Sequence, residues 1–365
     1  MKKTAFLISL VVLIFSAALH GQKNPSERKY KLVAYYSTDS ASLMMYDYSR
    51  ITHVIYSFGH VNSDGYFGVT RQKDLTVLKE LIKLKQKYPH LKTMIALGGW
   101  GGCELCSNVF NDPQKTKRFV SSVRDFLKTY NLDGFDFDWE YPVVKGFPGH
   151  QYLMDDKNNF TKAVALLRKT LPKRKIISFA SGGFIEYMEK AIDWKAINPY
   201  IDFVNLMSYD LVGGYATTTG HMTPLFSTWE NEESADKAIS YLEKIGFPLH
   251  KVIIGATFYT RSWENVPNIN NGLYQPGKFL GSHDYKMNVN IFTESNGYKY
   301  YWDEKAQAAH WYNDEKMIFV TGDDKQSLKA KSDYVKKKGL GGLMFWELPL
   351  DMPENGLLDV IDLNR

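Results

Sequence analysis

Eight short runs of nearly continuous apolar residues punctuate the chain, at Lys31–Tyr36, Thr52–Phe58, Thr93–Leu97, Gly134–Glu140, Ile176–Ala180, Phe203–Met207, Val252–Thr257 and Gly342–Trp346. Runs of this length and character read as strands buried on both faces. Between them lie amphipathic, helix-like stretches at Leu75–Lys87, Thr116–Tyr130, Asp155–Leu171, Tyr187–Trp194, Glu232–Ile245 and Ser327–Lys338. Strands alternating with helices in this way predict an α/β fold, the (β/α)8 TIM barrel. A doubly wound open sheet is the other arrangement open to such alternation, but no dinucleotide-binding glycine fingerprint supports it.

A barrel uses about 250 residues, and the chain has 365. The surplus falls between the seventh strand and the last helix. From Arg261 to about Val335 the chain turns rich in tyrosine, asparagine and glycine, with short alternating pieces at Tyr298–Trp302 and Met317–Val320. This predicts a small α+β subdomain, 262–335, inserted into a barrel that spans 22–365. At the N-terminus, Lys2 and Lys3 precede an apolar run from Ala5 to Ala18 and a polar stretch from His20. That is the layout of a secretory signal peptide, residues 1–21, with cleavage after Ala18 or after Gly21. The run is short for a membrane span and no other stretch approaches the required length. The expected location is therefore secreted or periplasmic, with no stable membrane span after cleavage.

The formal charge of +5 falls to +3 when Lys2 and Lys3 go, and the basic block that stands out is the short Lys336-Lys337-Lys338. Such a block suits the end of a helix, and a nucleic-acid partner is not expected. The two cysteines, Cys103 and Cys106, sit three residues apart. In an exported chain this spacing predicts a local disulfide pinning a loop rather than half a zinc site. Aromatic residues make up 15% of the chain, with 24 tyrosines and 8 tryptophans. Such a surface suits stacking on the flat apolar faces of sugar rings.

The candidate chemistry lies in the fourth run, Leu132-Asp133-Gly134-Phe135-Asp136-Phe137-Asp138-Trp139-Glu140-Tyr141-Pro142. From Phe135 to Glu140 aromatic and acid alternate, so an extended chain puts Asp136, Asp138 and Glu140 on one face. Neighbouring acids then stand ~6–7 Å apart at Cα. Crowded carboxylates in a cleft hold a proton that each alone would lose, which leaves one acid ready to donate it. A solvated strand face and a Ca²⁺ loop are the blander alternatives. Barrel chemistry gathers where strands end, and the other strand ends are also distinctive. They read Tyr35-Tyr36, Gly98-Gly99-Trp100, Met207-Ser208-Tyr209-Asp210, Tyr259-Thr260-Arg261 and Trp346-Glu347.

These residues resemble glycoside hydrolase family 18, the chitinases, in the subfamily with an insertion domain. Asp133 to Glu140 matches the DGxDxDxE signature, Ala96-Leu97-Gly98-Gly99 is similar to the SxGG strand, Met207–Asp210 to MxYD, and Gly342–Trp346 to the eighth-strand tryptophan. The likeness runs from about Lys31 to Asp351. It implies cleavage of β-1,4-linked N-acetylglucosamine in chitin or its oligosaccharides, assisted by the substrate's own acetamido group with net retention. It also implies that Glu140 serves as acid and base, Asp138 orients the acetamido group, Asp136 shares a proton with Asp138, and Tyr209 bonds the acetamido oxygen. Tyr35, Phe58, Gly99, Trp100, Tyr141, Met207, Asp210, Tyr259, Arg261 and Trp346 become the expected sugar contacts. A monomer with no metal or cofactor is expected.

Several of these residues keep a structural alternative. Asp133 can shape the turn into the strand, Gly98 and Gly99 can admit close backbone approach, and Trp100 and Trp263 can pack rather than stack. Arg261 can pair with a rim acid, and His221 can fix a loop. Ala96 stands where the motif often has serine, which alters how Asp136 is held. Glu347-Leu348-Pro349 departs from the family's usual residues at the far end of the cleft. The competing functions are an endo-β-N-acetylglucosaminidase acting on N-glycans and a chitin-binding lectin on the same fold. Inactive relatives lose the terminal acid, and Glu140 is present.

Overall fold

Eight parallel strands close on themselves in the computed structural model, which describes residues 29–364. They are Lys31–Tyr36, His53–Val61, Lys92–Gly98, Gly134–Asp138, Ile176–Gly182, Phe203–Met207, Val252–Thr257 and Gly342–Trp346. Each pairs with the next, and the first closes the ring through Val33↔His53 on one side and Lys31↔Gly342 on the other. The fold is a (β/α)8 barrel. The expected signal peptide, 1–21, lies outside the described residues. Among those residues no helix is long and apolar enough to cross a membrane.

The strands are apolar on both faces because both faces are covered. Outward, Phe135 and Phe137 of the fourth strand pack against Phe110, Phe119 and Phe160 beneath the helices. Full burial of each such ring stabilises the fold by roughly 1.5–3 kcal/mol. Inward, Val33, Tyr35, Ile55, Met94, Ala96, Phe203, Ile253 and Met344 fill the barrel. The helix Pro113–Thr129 shows how locally the shell is specified. Proline sits at its first turn, and Asp112 accepts from the backbone N–H groups of Gln114 and Lys115 at 2.7 and 3.1 Å.

Several elements begin or end up to three residues from their expected bounds, and two differ in a way that reshapes the chain. The fourth strand stops at Asp138, two residues short of Glu140. Trp139 stays buried against Phe110 and Phe160, while the chain turns and leaves Glu140 half-buried at the mouth of the barrel. The helix expected over Tyr187–Trp194 is broken into Ile185–Lys190 and Trp194–Ile197, because Asp193 caps the second piece by accepting from Ala196 N at 3.0 Å.

After the seventh strand the chain enters a five-stranded antiparallel sheet, in the order 278–284, 259–264, 318–322, 308–313, 298–303. It has its own small core of Trp263, Val266, Leu273, Tyr312 and Phe319. The segment 262–335 carries most of this sheet and the first part of helix Lys325–Lys338, which packs on the eighth barrel strand.

Candidate active site

The carboxylates on the fourth strand look into the barrel from its C-terminal end, and each has different surroundings. Asp136 is wholly buried. It accepts from Tyr35 Oη on the first strand at 2.9 Å, Ser178 Oγ on the fifth at 2.5 Å and Asn205 Nδ2 on the sixth at 3.2 Å. Burial drives its pKa up to about 7, although all three donors favour the ionised form. Asp138 is 4% exposed, and among the described residues its Oδ1 is buried with no hydrogen-bond partner. Burial first, then the charges of Glu140 and Asp136, hold its pKa well above the usual carboxylate range.

Glu140 has its pKa pushed to about 7, chiefly by burial. A hydrogen bond with Tyr141 opposes the rise and the charge of Asp210 adds to it. Three acids with raised pKa values on one short stretch titrate as a group, so the cluster retains a proton near neutral pH. Tyr209 faces them from the end of the sixth strand. Its hydroxyl lies 3.9 Å from Met344 Sδ, and burial, followed by the charges of Asp138 and Glu140, raises its pKa well above normal.

Aromatic rings line the space beside the acids. Phe58 and Trp346 stack at 5.6 Å and 15°, and Tyr35 meets Trp346 at 5.6 Å. Gly99 makes this arrangement possible, because a Cβ there would stand 2.3 Å from the Phe58 ring and its φ is +76°. Trp100 is 48% exposed at the rim, edge-on to Phe147 at 5.6 Å and near Tyr141 at 6.4 Å. Tyr141 also packs on Phe184 and Tyr187, and Met207 is buried at the end of its strand.

Asp210, Tyr259 and Arg261 meet one another. Arg261 grips both carboxylate oxygens of Asp210 at 2.5 and 2.6 Å, and Tyr259 Oη donates to the same group at 2.8 Å. The inserted sheet is thereby tied to the end of the sixth barrel strand. Other residues lie in structural settings. Asp133, at the opposite end of the strand, accepts from Thr93 N at 2.8 Å and pairs with Lys85. Trp263 is buried, with Nε1 donating to Ala216 O. His221 joins the loop after the sixth strand to Asp303 at 3.2 Å. Cys103 and Cys106 are bonded, just beyond Trp100. Among the described residues no group of three His, Cys, Asp or Glu side chains is arranged to hold a metal ion.

Sequence reasoning missed Ser178, Asn205 and Tyr215. The first two hold Asp136, and each is a polar residue within an apolar run (Ile-Ile-Ser-Phe-Ala and Phe-Val-Asn-Leu-Met). A polar side chain inside a buried strand needs a partner, and that signal was available. Tyr215, 74% exposed, approaches Trp100 at 6.5 Å from a Gly-Gly-Tyr loop after the sixth strand.

The model of the family "Glycosyl hydrolases family 18" matches residues 31–351. Chitinase A1 of Niallia circulans is 29% identical over 96% of this chain and 61% of its own length. The chain spans about half the length of several other curated relatives it matches. Among solved structures, chitinase ChiA74 of Bacillus thuringiensis superposes with a TM-score of 0.84, at 28% identity over 91% of this chain and 69% of its own. A family 18 N-acetylglucosaminidase of Paenibacillus barengoltzii gives a TM-score of 0.81, at 32% identity over 91% of this chain and 98% of its own.

Proposed function

The chain belongs to glycosyl hydrolases family 18, and on that premise we propose that it hydrolyses β-1,4-linked N-acetylglucosamine in chitin and chitooligosaccharides. The observation that carries this reading is the arrangement around Asp138. A buried carboxylate oxygen that has no hydrogen-bond donor among the described residues, between a raised-pKa glutamate and a tyrosine hydroxyl, suits an acetamido group. Such a group supplies an N–H for Asp138 and a carbonyl oxygen for Tyr209.

In this mechanism Glu140 gives its proton to the glycosidic oxygen as the bond to the anomeric carbon breaks. The neighbouring acetamido oxygen bonds to that carbon from the opposite face, forming an oxazolinium ion. Asp138 accepts from the acetamido N–H and balances the charge growing there. Asp136, held by Tyr35, Ser178 and Asn205, exchanges proton occupancy with Asp138 as the charge moves. Water then opens the oxazolinium ion from the face the leaving group vacated, and Glu140 takes up its proton. Two displacements give retention. The stacked pair Phe58 and Trp346 floors the subsite, and Trp100 extends the aromatic surface along the cleft.

Export of the chain fits the bonded Cys103–Cys106 pair, since such bonds persist in oxidising compartments. A second reading, release of single N-acetylglucosamine units, is favoured by the likeness to the N-acetylglucosaminidase. Products from a defined hexamer separate the two, because release of monomer alone belongs to the second. The purified protein is expected to hydrolyse colloidal chitin or chitohexaose. Glu140→Gln should lower kcat by about a thousandfold or more while still binding sugar, since it removes the proton donor and keeps the shape. Wild-type-like turnover by that variant would refute the assignment.

A further inference from the structure

Behind Tyr209 lies a buried lysine–aspartate pair for which the chemistry above has no use. Lys331 of helix Lys325–Lys338 and Asp323, at the exit of the inserted sheet, are both wholly buried and meet at 2.7 Å. Burying an ion pair costs about as much as its attraction returns, and apolar residues of equal volume serve stability as well or better. Stability alone therefore does not explain its presence.

The hydrogen bonds show where it acts. Asp323 Oδ1 accepts from Ser327 Oγ at 2.7 Å, and Oδ2 accepts from Thr257 N at the end of the seventh strand at 2.9 Å. Lys331 Nζ also donates to Thr223 Oγ1 at 2.5 Å, and Thr223 Oγ1 donates to the Ser208 carbonyl at 3.2 Å. That carbonyl belongs to the peptide that carries Tyr209. Ser208 Oγ bridges Gly255 N and O on the seventh strand at 3.0 and 3.1 Å. The Tyr209 ring lies directly over Gly255, where a Cβ would stand 2.7 Å from it. One ion pair thus pins both strand ends that set the direction of the Tyr209 side chain, one through Thr223 and one through Thr257.

We propose that the buried Lys331–Asp323 pair is a positioning device for Tyr209, holding its hydroxyl toward the acid cluster through Thr223 and Ser208. The proposal rests on the reading of Tyr209 as a group that bonds the reacting acetamide. Lys331 touches no substrate. Its effect should appear in the step Tyr209 assists and vanish when the Tyr209 hydroxyl is gone.

The test is a double-mutant cycle on chitohexaose with Lys331→Met, Tyr209→Phe and both together, with melting followed for each. Lys331→Met is expected to lower kcat by about tenfold with KM changed less than about twofold. In the Tyr209→Phe background the same substitution should change kcat by less than about twofold. Equal losses in both backgrounds would overturn the proposal and leave the role of Tyr209 standing. A Tyr209→Phe variant as fast as the wild type would overturn both. If Lys331→Met does not fold, Thr223→Val, which keeps the ion pair and cuts its link to Ser208, carries the same cycle. A wild type that hydrolyses nothing would overturn the reading of Tyr209 on which the proposal rests, and the proposal with it.

Discussion

Replacing Asp136 by asparagine should change how the stability of the protein depends on pH. Asp136 is fully buried, and its folded pKa of about 7 stands above the ordinary 3.8. Below the lower value both folded and unfolded chains hold the proton, and the group adds nothing to the pH dependence. As pH rises, the unfolded chain releases its proton first while the folded one keeps it, so stability falls until the folded group ionises too. A difference of about three pKa units at about 1.4 kcal/mol each gives a loss of at most ~4 kcal/mol between pH 4 and 7. The amide introduced by Asp136→Asn does not titrate, so this contribution to the slope disappears. The amide also sets one donor against Tyr35 or Asn205, costing about 1 kcal/mol. Urea unfolding at pH 4 should find the variant slightly less stable than the wild type, and at pH 8 the order should reverse. Curves that stay parallel from pH 4 to 8 would refute the reasoning, because Asp136 would not then be titrating in that window.

Two further outcomes follow from the geometry. Gly99→Ala places a Cβ 2.3 Å from the Phe58 ring at a φ of +76°, so calorimetry should show a loss of about 1–3 kcal/mol, with KM raised as the stack on Trp346 shifts. An unchanged melting temperature would rule this out. Arg261→Met leaves Asp210 without its bidentate partner, and Asp210 already helps hold the proton on Glu140. The basic limb of the kcat/KM profile should therefore move to higher pH, and a limb that stays or moves down would contradict it.

The amino-acid sequence by itself determined the eight strands, because strands covered on both faces are apolar along most of their length, and that pattern is local. It determined the three-acid cluster for the same reason, since alternation along one strand sets which side chains share a face. It did not determine where that strand ends. Trp139 keeps the outward phase while Glu140 turns away into the mouth of the barrel, and packing against Phe110 and Phe160 decides this. Nor did local pattern reveal what holds Asp136. Ser178, Asn205 and Tyr35 lie 42, 69 and 101 residues away along the chain, and barrel closure brings them to one carboxylate. The orphaned oxygen of Asp138 and the Lys331–Asp323 pair behind Tyr209 are likewise products of tertiary structure. Burial and the distances between side chains from separate strands set the proton affinity and direction of a functional group, and neither quantity exists until the barrel has closed.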